Sequence, residues 1–336
     1  MQVPMVTKST LSASALRLDA AHEVERIADA IRTAVYSTLK RRGAVIGISG
    51  GIDSSVSAAL CVRALGPERV LGLLMPEADS APESTVLGQL LGATLGIATI
   101  VDEITPILNA AGCYRRRDDA IRAVVPEYGP GCKSKIVLPN AADHDGYSVF
   151  SVVVQFADGR QTNTRLTREA YLSILAATNF KQRVRKMMEY HYADRYQYAV
   201  IGTPNRLEYD QGFFVKLGDG AADVKPIAHL YKTQVYQLAE FLGVPDKIRR
   251  RPPTTDTYSL PQSQDEFYFS LPFDKLDLCL YGLNHGVPAG EVGATIGLTT
   301  QQVERVFKDL ASKRRATRYL HQAPVLVEDV SQGEVG

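Results

Sequence analysis

The sequence predicts an α/β fold built on a doubly wound parallel sheet, and three observations carry it. Short apolar runs at 44–48, 69–76, 98–101 and 198–203 are separated by stretches with helical spacing. The runs are continuously apolar rather than alternating, as strands covered on both faces are. The first run ends in Ser49-Gly50-Gly51, a turn that opens directly into a helix, and ligands of such sheets bind at the carboxyl ends of the strands.

In chain order, residues 19–40 place apolar side chains at helical spacing and read as a long amphipathic helix. Strand one, 44–48, leads into a helix from about Ser54 to Leu65. The run 69–76 ends in Pro76, which fits a buried strand closed by a loop. A helix over 84–95 and a strand over 98–101 follow. Residues 115–170 break the rhythm: Arg115-Arg116-Arg117 is a charged run, Gly129-Pro130-Gly131 a turn, and Ser148–Phe156 with Asp158-Gly159 a hairpin. We read this as a β-rich insert on one domain spanning 1–330, with 331–336 a flexible tail. The triple arginine reads first as a solvated surface run. Residues 262–273 read as a loop with Phe267, Tyr268 and Phe269 as aromatic anchors, and 288–309 as a helix-turn-helix.

Composition excludes several classes. The chain has 336 residues, 45% hydrophobic content and a formal charge of +1, so it is no general nucleic-acid binder by charge. No stretch approaches the ~18 apolar residues of a membrane span. The N-terminal residues lack a basic start followed by an apolar block, so a cytoplasmic location is expected. Four scattered cysteines without C-x-x-C read as free thiols, and the six histidines show no ligand spacing.

Gly47, Ile48, Ser49, Gly50, Gly51, Ile52, Asp53 and Ser54 form the most informative stretch. Adjacent glycines let backbone N–H groups approach a polyanion, the serines add donors, and the helix beyond aims its positive end at the same point. Asp53 beside phosphates makes sense when it holds a cation such as Mg²⁺. Neither G-x-x-x-x-G-K-[ST] nor G-x-G-x-x-G follows this strand, which argues against kinase-type and dehydrogenase-type loops. The S-G-G-x-D-S arrangement resembles the pyrophosphate loop of the N-type ATP pyrophosphatases, whose fold is of the adenine nucleotide alpha hydrolase-like kind.

Further motifs resemble one family, ammonia-dependent NAD synthetase. Asn179-Phe180-Lys181-Gln182-Arg183-Val184-Arg185 looks like its N-x-K-x-R-x-R helix start. Gly202-Thr203-Pro204-Asn205-Arg206-Leu207-Glu208 matches G-T-x-N-x-x-E, and 212–223 matches G-[YF]-F-x-K-x-G-D-G-x-x-D. Leu230-Tyr231-Lys232-Thr233 and Pro252-Pro253-Thr254-Thr255-Asp256 continue it. The resemblance implies ATP as co-substrate with Mg²⁺. The carboxylate of deamido-NAD⁺ takes AMP from ATP, and ammonia then displaces it. It further implies Asp53 and Glu208 as metal ligands, with Thr203, Thr254 and Lys232 along the ATP. Arg183, Lys216, Asp223 and Lys313 would meet the dinucleotide, and Asp219 the incoming ammonium. A homodimer is also implied. Only about 40 residues precede strand one, so nitrogen is expected from free ammonia or a separate glutaminase.

Two stretches depart from the family pattern. After Asp256 only Asp265-Glu266 survive of a G-Q-x-D-E-x-x-L-G segment, and Ser312-Lys313-Arg314 stands where the family has His-Lys-Arg. Both fall in acceptor-binding parts, which keeps open a ligase that adenylates another carboxylate. A DNA-binding regulator built on 288–309 is the remote alternative.

Overall fold

The computed structural model describes residues 11–137, 150–254, 257–262, 268–269, 271–328 and 330. Helix α1 (Ala20–Arg32) is capped by Asp19, whose carboxylate accepts the His22 N–H at 3.1 Å. A π-helical stretch, Thr33–Thr38, continues it, so the expected helix is one rod with two hydrogen-bonding patterns. Then come β1 (Ala44–Gly47), α2 (Ile52–Leu65), β2 (Val70–Leu74), α3 (Pro82–Leu95) and β3 (Ala98–Val101). Two helices, α4 (Thr105–Ala110) and α5 (Cys113–Arg122), precede β4 (Lys133–Val137), β5 (Ser151–Gln155) and β6 (Gln161–Arg165). The long α6 (Arg168–Tyr196) returns to β7 (Ala199–Ile201), followed by α7 (Arg206–Gln211), α8 (Lys232–Phe241) and α9 (Asp246–Arg249). A terminal layer holds α10 (Phe273–His285), α11 (Ala289–Ile296) and α12 (Thr300–Thr317).

The main sheet runs β3-β2-β1-β7, every described pairing parallel. Ala44 lies opposite Val70 on one side and Ala199 on the other. The chain winds outward from β1 to β3 and then returns to β7 on the other side of β1. The crevice at the carboxyl ends of β1 and β7 is therefore the topological switch point. One face of the sheet packs on α1, α2 and α8 through Val24, Ile27, Val56, Leu60 and Val235. The other packs on α4, α5 and α6 through Val45, Leu73, Leu108 and Val184. Val45 and Ile46 are both 0% exposed, and burial of such side chains contributes on the order of 1.5–3 kcal/mol each.

The segment 115–170 differs from expectation in three ways. Its arginine run is helical, within α5, and Arg117 turns inward to pair with Asp79 while Arg115 and Arg116 stay exposed. The hairpin, β5 and β6, makes two strands of a three-stranded antiparallel sheet in the order β4-β5-β6, whose inner residues Ile136, Val152 and Val154 pack with Ile121 and Ile174. Finally, α6 begins eleven residues before Asn179: the Thr167 hydroxyl accepts the Ala170 N–H at 3.1 Å, and Asn179 lies mid-helix. Charged side chains on its buried face, Lys181, Lys186 and Glu189, hide its apolar periodicity.

Helices α11 and α12 form the expected helix-turn-helix around Gly297, and Val292, Ile296, Val303, Val306 and Leu310 bury its inner face. Arg314 forks onto the Asp210 carboxylate at 2.6 and 2.7 Å, clamping α12 to α7. Tyr268 stacks on Phe213 at 4.8 Å and Phe269 is buried, as anchors should be. Phe267, Asp265-Glu266 and the tail 331–336 lie outside the described residues. Among those described, no helix is long and apolar enough to cross a membrane, and the four cysteines are free.

Candidate active site

The turn after β1 is shaped before any ligand arrives. Gly50 has φ +73, and a Cβ there would stand 2.7 Å from the Ser84 carbonyl oxygen, so only glycine fits. Gly51 is the N-cap of α2 in extended conformation. The Ser54 and Ser55 hydroxyls donate to the Gly51 carbonyl at 3.1 and 2.8 Å, while the Ser49 and Ser54 hydroxyls meet at 3.1 Å. This leaves the turn tied underneath, with the start of a 14-residue helix behind it. Gly50→Ala is expected to lower turnover roughly 100-fold with a stability loss of about 1–3 kcal/mol, measured as AMP release and a melting curve.

Asp53, one residue into α2, meets groups from two distant elements. Lys232, at the start of α8 and 2% exposed, forms an ion pair with it. The Asn205 side-chain amide donates to its other oxygen at 3.1 Å. Asn205 also caps α7: its Oδ1 accepts the Glu208 N–H at 3.2 Å, and the Glu208 carboxylate accepts the Asn205 N–H at 3.1 Å. One buried asparagine therefore positions both carboxylates. Its capping role was readable in the N-x-x-E spacing, but its link to Asp53 was not.

The electrostatics match this crowding. Burial, and then the Asp53 carboxylate, push Glu208 well above the usual carboxylate range. Burial pulls the Lys232 ammonium down, but Asp53 and Glu208 outweigh it and hold it above its ordinary value. Two carboxylates repelling across a buried spot suit a hard divalent cation such as Mg²⁺, with phosphate oxygens and water completing its shell. Among the described residues no group of three or more such ligands occurs, so the protein alone supplies no full cage.

Around this centre the other expected residues divide. Thr203 follows β7 and is half-buried; Asp219 is half-buried, accepts the Val215 N–H at 2.8 Å, and is raised by burial. Asp223 is exposed, accepting the Val200 N–H at 2.8 Å and the Tyr190 hydroxyl at 3.4 Å. Arg183 is exposed and reaches the Lys216 carbonyl at 3.3 Å. Lys216 itself is tied to the Tyr319 and Gln322 carbonyls at 2.9 and 3.2 Å. Lys313 donates to the Tyr268 carbonyl at 2.5 Å and to Asp309 at 2.7 Å. Thr254 is exposed, three residues after Arg251, whose guanidinium donates to the Ser84 hydroxyl at 3.0 Å and the Gly50 carbonyl at 3.5 Å.

Sequence reasoning missed Arg251 as a cation at the phosphate turn, and it missed a buried ionic cluster beyond β2. There Lys181, 0% exposed, donates to Glu77 at 3.0 Å, Asp79 at 2.6 Å and the Thr257 carbonyl at 2.7 Å. Arg117 closes on Asp79, and the Tyr114 hydroxyl donates to Glu77 at 2.6 Å. This cluster pins the loop after β2 against α5 and α6.

A glycine turn, a carboxylate pair and a paired lysine meet at the switch point of a parallel sheet of the adenine nucleotide alpha hydrolase-like fold, and the class to which the chain belongs is that of ligases. The NAD synthase family model matches residues 23–123 and 147–319, and the chain belongs to that family. Between the matched parts, 124–146 contains β4. A protein from Rhizobium meliloti (strain 1021) named NH(3)-dependent NAD(+) synthetase is 59% identical over 98% of this chain and 99% of its own length. The solved NH3-dependent NAD synthetase of Campylobacter jejuni shares the fold, with TM-score 0.60 and 22% identity over 93% of this chain and all of that one. So does an NMN synthetase from Francisella tularensis, with TM-score 0.63 and 19% identity over 92% and 98%.

Proposed function

We propose that the chain amidates deamido-NAD⁺ to NAD⁺ with ammonia, driven by cleavage of ATP to AMP and pyrophosphate. The observation that carries this reading is the convergence of Asp53, Asn205, Glu208 and Lys232 on the turn after β1, in a chain of this family. A carboxylate cannot lose hydroxide to ammonia at neutral pH, so it first takes AMP from ATP. The N–H groups and serines of 47–54 bind the β- and γ-phosphates that depart together. Asp53 and Glu208 would hold Mg²⁺, which when bound would supply neutralisation of phosphate charge. Lys232 leaves Asp53 to face phosphate, and Thr203 and Thr254 line the nucleotide. Arg183, Lys216, Asp223 and Lys313 orient the acid for attack on the α-phosphorus. Ammonia then attacks the acyl carbon, the bond to AMP breaks, and Asp219, raised by burial, accepts the proton lost from nitrogen.

The chain acts as a cytoplasmic homodimer in this reading, fed by free ammonia or a separate glutaminase. The exposed Leu172 and Met187 of α6, 49% and 52% exposed, support an apolar contact there. A second reading keeps the chemistry and changes the acid: Lys313 is engaged by Tyr268 and Asp309 in the part of the chain that departs from the family pattern. Incubation with ATP, ammonium and deamido-NAD⁺ tests both. Equal amounts of AMP, pyrophosphate and NAD⁺ are expected. AMP formation only with another acid selects the second reading, and release of ADP and orthophosphate overturns both.

A further inference from the structure

Among the described residues, Lys225 is a cation with no counter-charge bonded to it. It follows Val224, which extends the sheet by a parallel bridge to Ile201 at the end of β7. Its stem lies over Gly202, where a Cβ would stand 2.8 Å from Ala222 Cβ and 3.0 Å from Lys225 Cγ. The ammonium sits 4.9 Å from the centre of the Tyr209 ring and 5.7 Å from that of Phe214. Among the described residues it has no hydrogen bond or ion pair. The neighbouring titratable groups are Asp219, Lys186 and His321; the His321 ring meets Tyr209 and Phe214 edge-on at 4.8 and 5.2 Å, and Lys186 is already paired with Glu189 at 2.6 Å. Burial and Lys186 both disfavour the charged form of Lys225. Aromatic faces stabilise such a cation only modestly, about 0.5–2 kcal/mol, so an arriving anion gains from it.

We propose that Lys225 is a further substrate-binding residue of the ligase reaction, its ammonium and the Tyr209–Phe214 faces forming a subsite for the phosphoryl group that passes from ATP to the acid. The assignment rests on the reading of the reaction given above. In that reading the turn at 47–54 and Lys232 hold the departing pyrophosphate. Lys225 stands at the β7 end of the crevice, beside Asp219, where the transferred phosphate and the ammonia must meet. There a cation stabilises the charge that gathers on the phosphate oxygens as the acid attacks, and again as AMP leaves.

Steady-state kinetics of the full chain with ATP, deamido-NAD⁺ and ammonium tests this. In K225M, which keeps length and apolar packing, kcat is expected to fall roughly 100-fold. The KM for ATP should change by less than about threefold, because the pyrophosphate contacts remain. K225R, which keeps the charge, is expected to lie within about tenfold of the parent, and both variants should melt with it. A kcat for K225M within about twofold of the parent overturns the proposal. So do equal losses in both variants with a lowered melting temperature, which mark a packing role. A parent that forms no AMP overturns the reading beneath it instead, a separate result visible before any variant is made.

Discussion

Asp53→Asn is expected to abolish turnover, lowering kcat by at least about 1,000-fold, while the chain still folds. Asparagine is nearly isosteric and preserves an acceptor for the Asn205 amide, now 3.1 Å from Asp53. What it removes is charge: one of two carboxylates proposed for Mg²⁺, and the partner of Lys232. Removing one member of a buried ion pair can cost about 3–5 kcal/mol, but Glu208 also acts on Lys232 and limits that loss. The expected pattern is a near-total loss of AMP formation with a smaller fall in melting temperature. Full activity in this variant would remove the metal assignment.

Lys181→Met has the opposite signature, a stability change larger than any direct chemical effect. Lys181 touches no proposed substrate position, yet it bonds Glu77, Asp79 and the Thr257 carbonyl from a fully buried site. Methionine fills most of the volume and supplies no donor. Among the described residues the two carboxylates then keep Arg117, the Tyr114 hydroxyl and the Asp79 backbone N–H. The expected cost is about 3–5 kcal/mol, read as a fall of roughly 10 °C in the melting temperature. Glu77→Gln in the same background should restore part of it, because one unpaired charge is removed. Equal melting of Lys181→Met and the parent would show that the cluster adds nothing to stability.

Much of the fold was legible because its central strands obey simple rules. β1 and β2, which fall within the runs 44–48 and 69–76, are apolar on both faces, and β3 lies where 98–101 was expected. The glycine turn after β1 was equally plain, since Gly50 can be nothing else. Helix α6 was obscured because its buried stripe carries Lys181, Lys186 and Glu189. Hydrophobic periodicity cannot register a charge whose counter-charge comes from a remote loop. The same reason hid the cluster around Glu77 and the capture of Lys313 by Tyr268 and Asp309. Asn205 stood inside a recognised motif, but a capping box reveals only its local bonds. Contacts from Asp53 to Asn205 and Lys232 bridge 152 and 179 positions, beyond any spacing rule.

That separation has a kinetic corollary. On a ribosome, the strand and glycine turn near residue 50 emerge long before Lys232 exists to meet Asp53. Chains dominated by such remote pairings collapse slowly. Competence for catalysis should therefore arrive late in maturation, in a single step, when the last central strand docks and its following helix closes the gap.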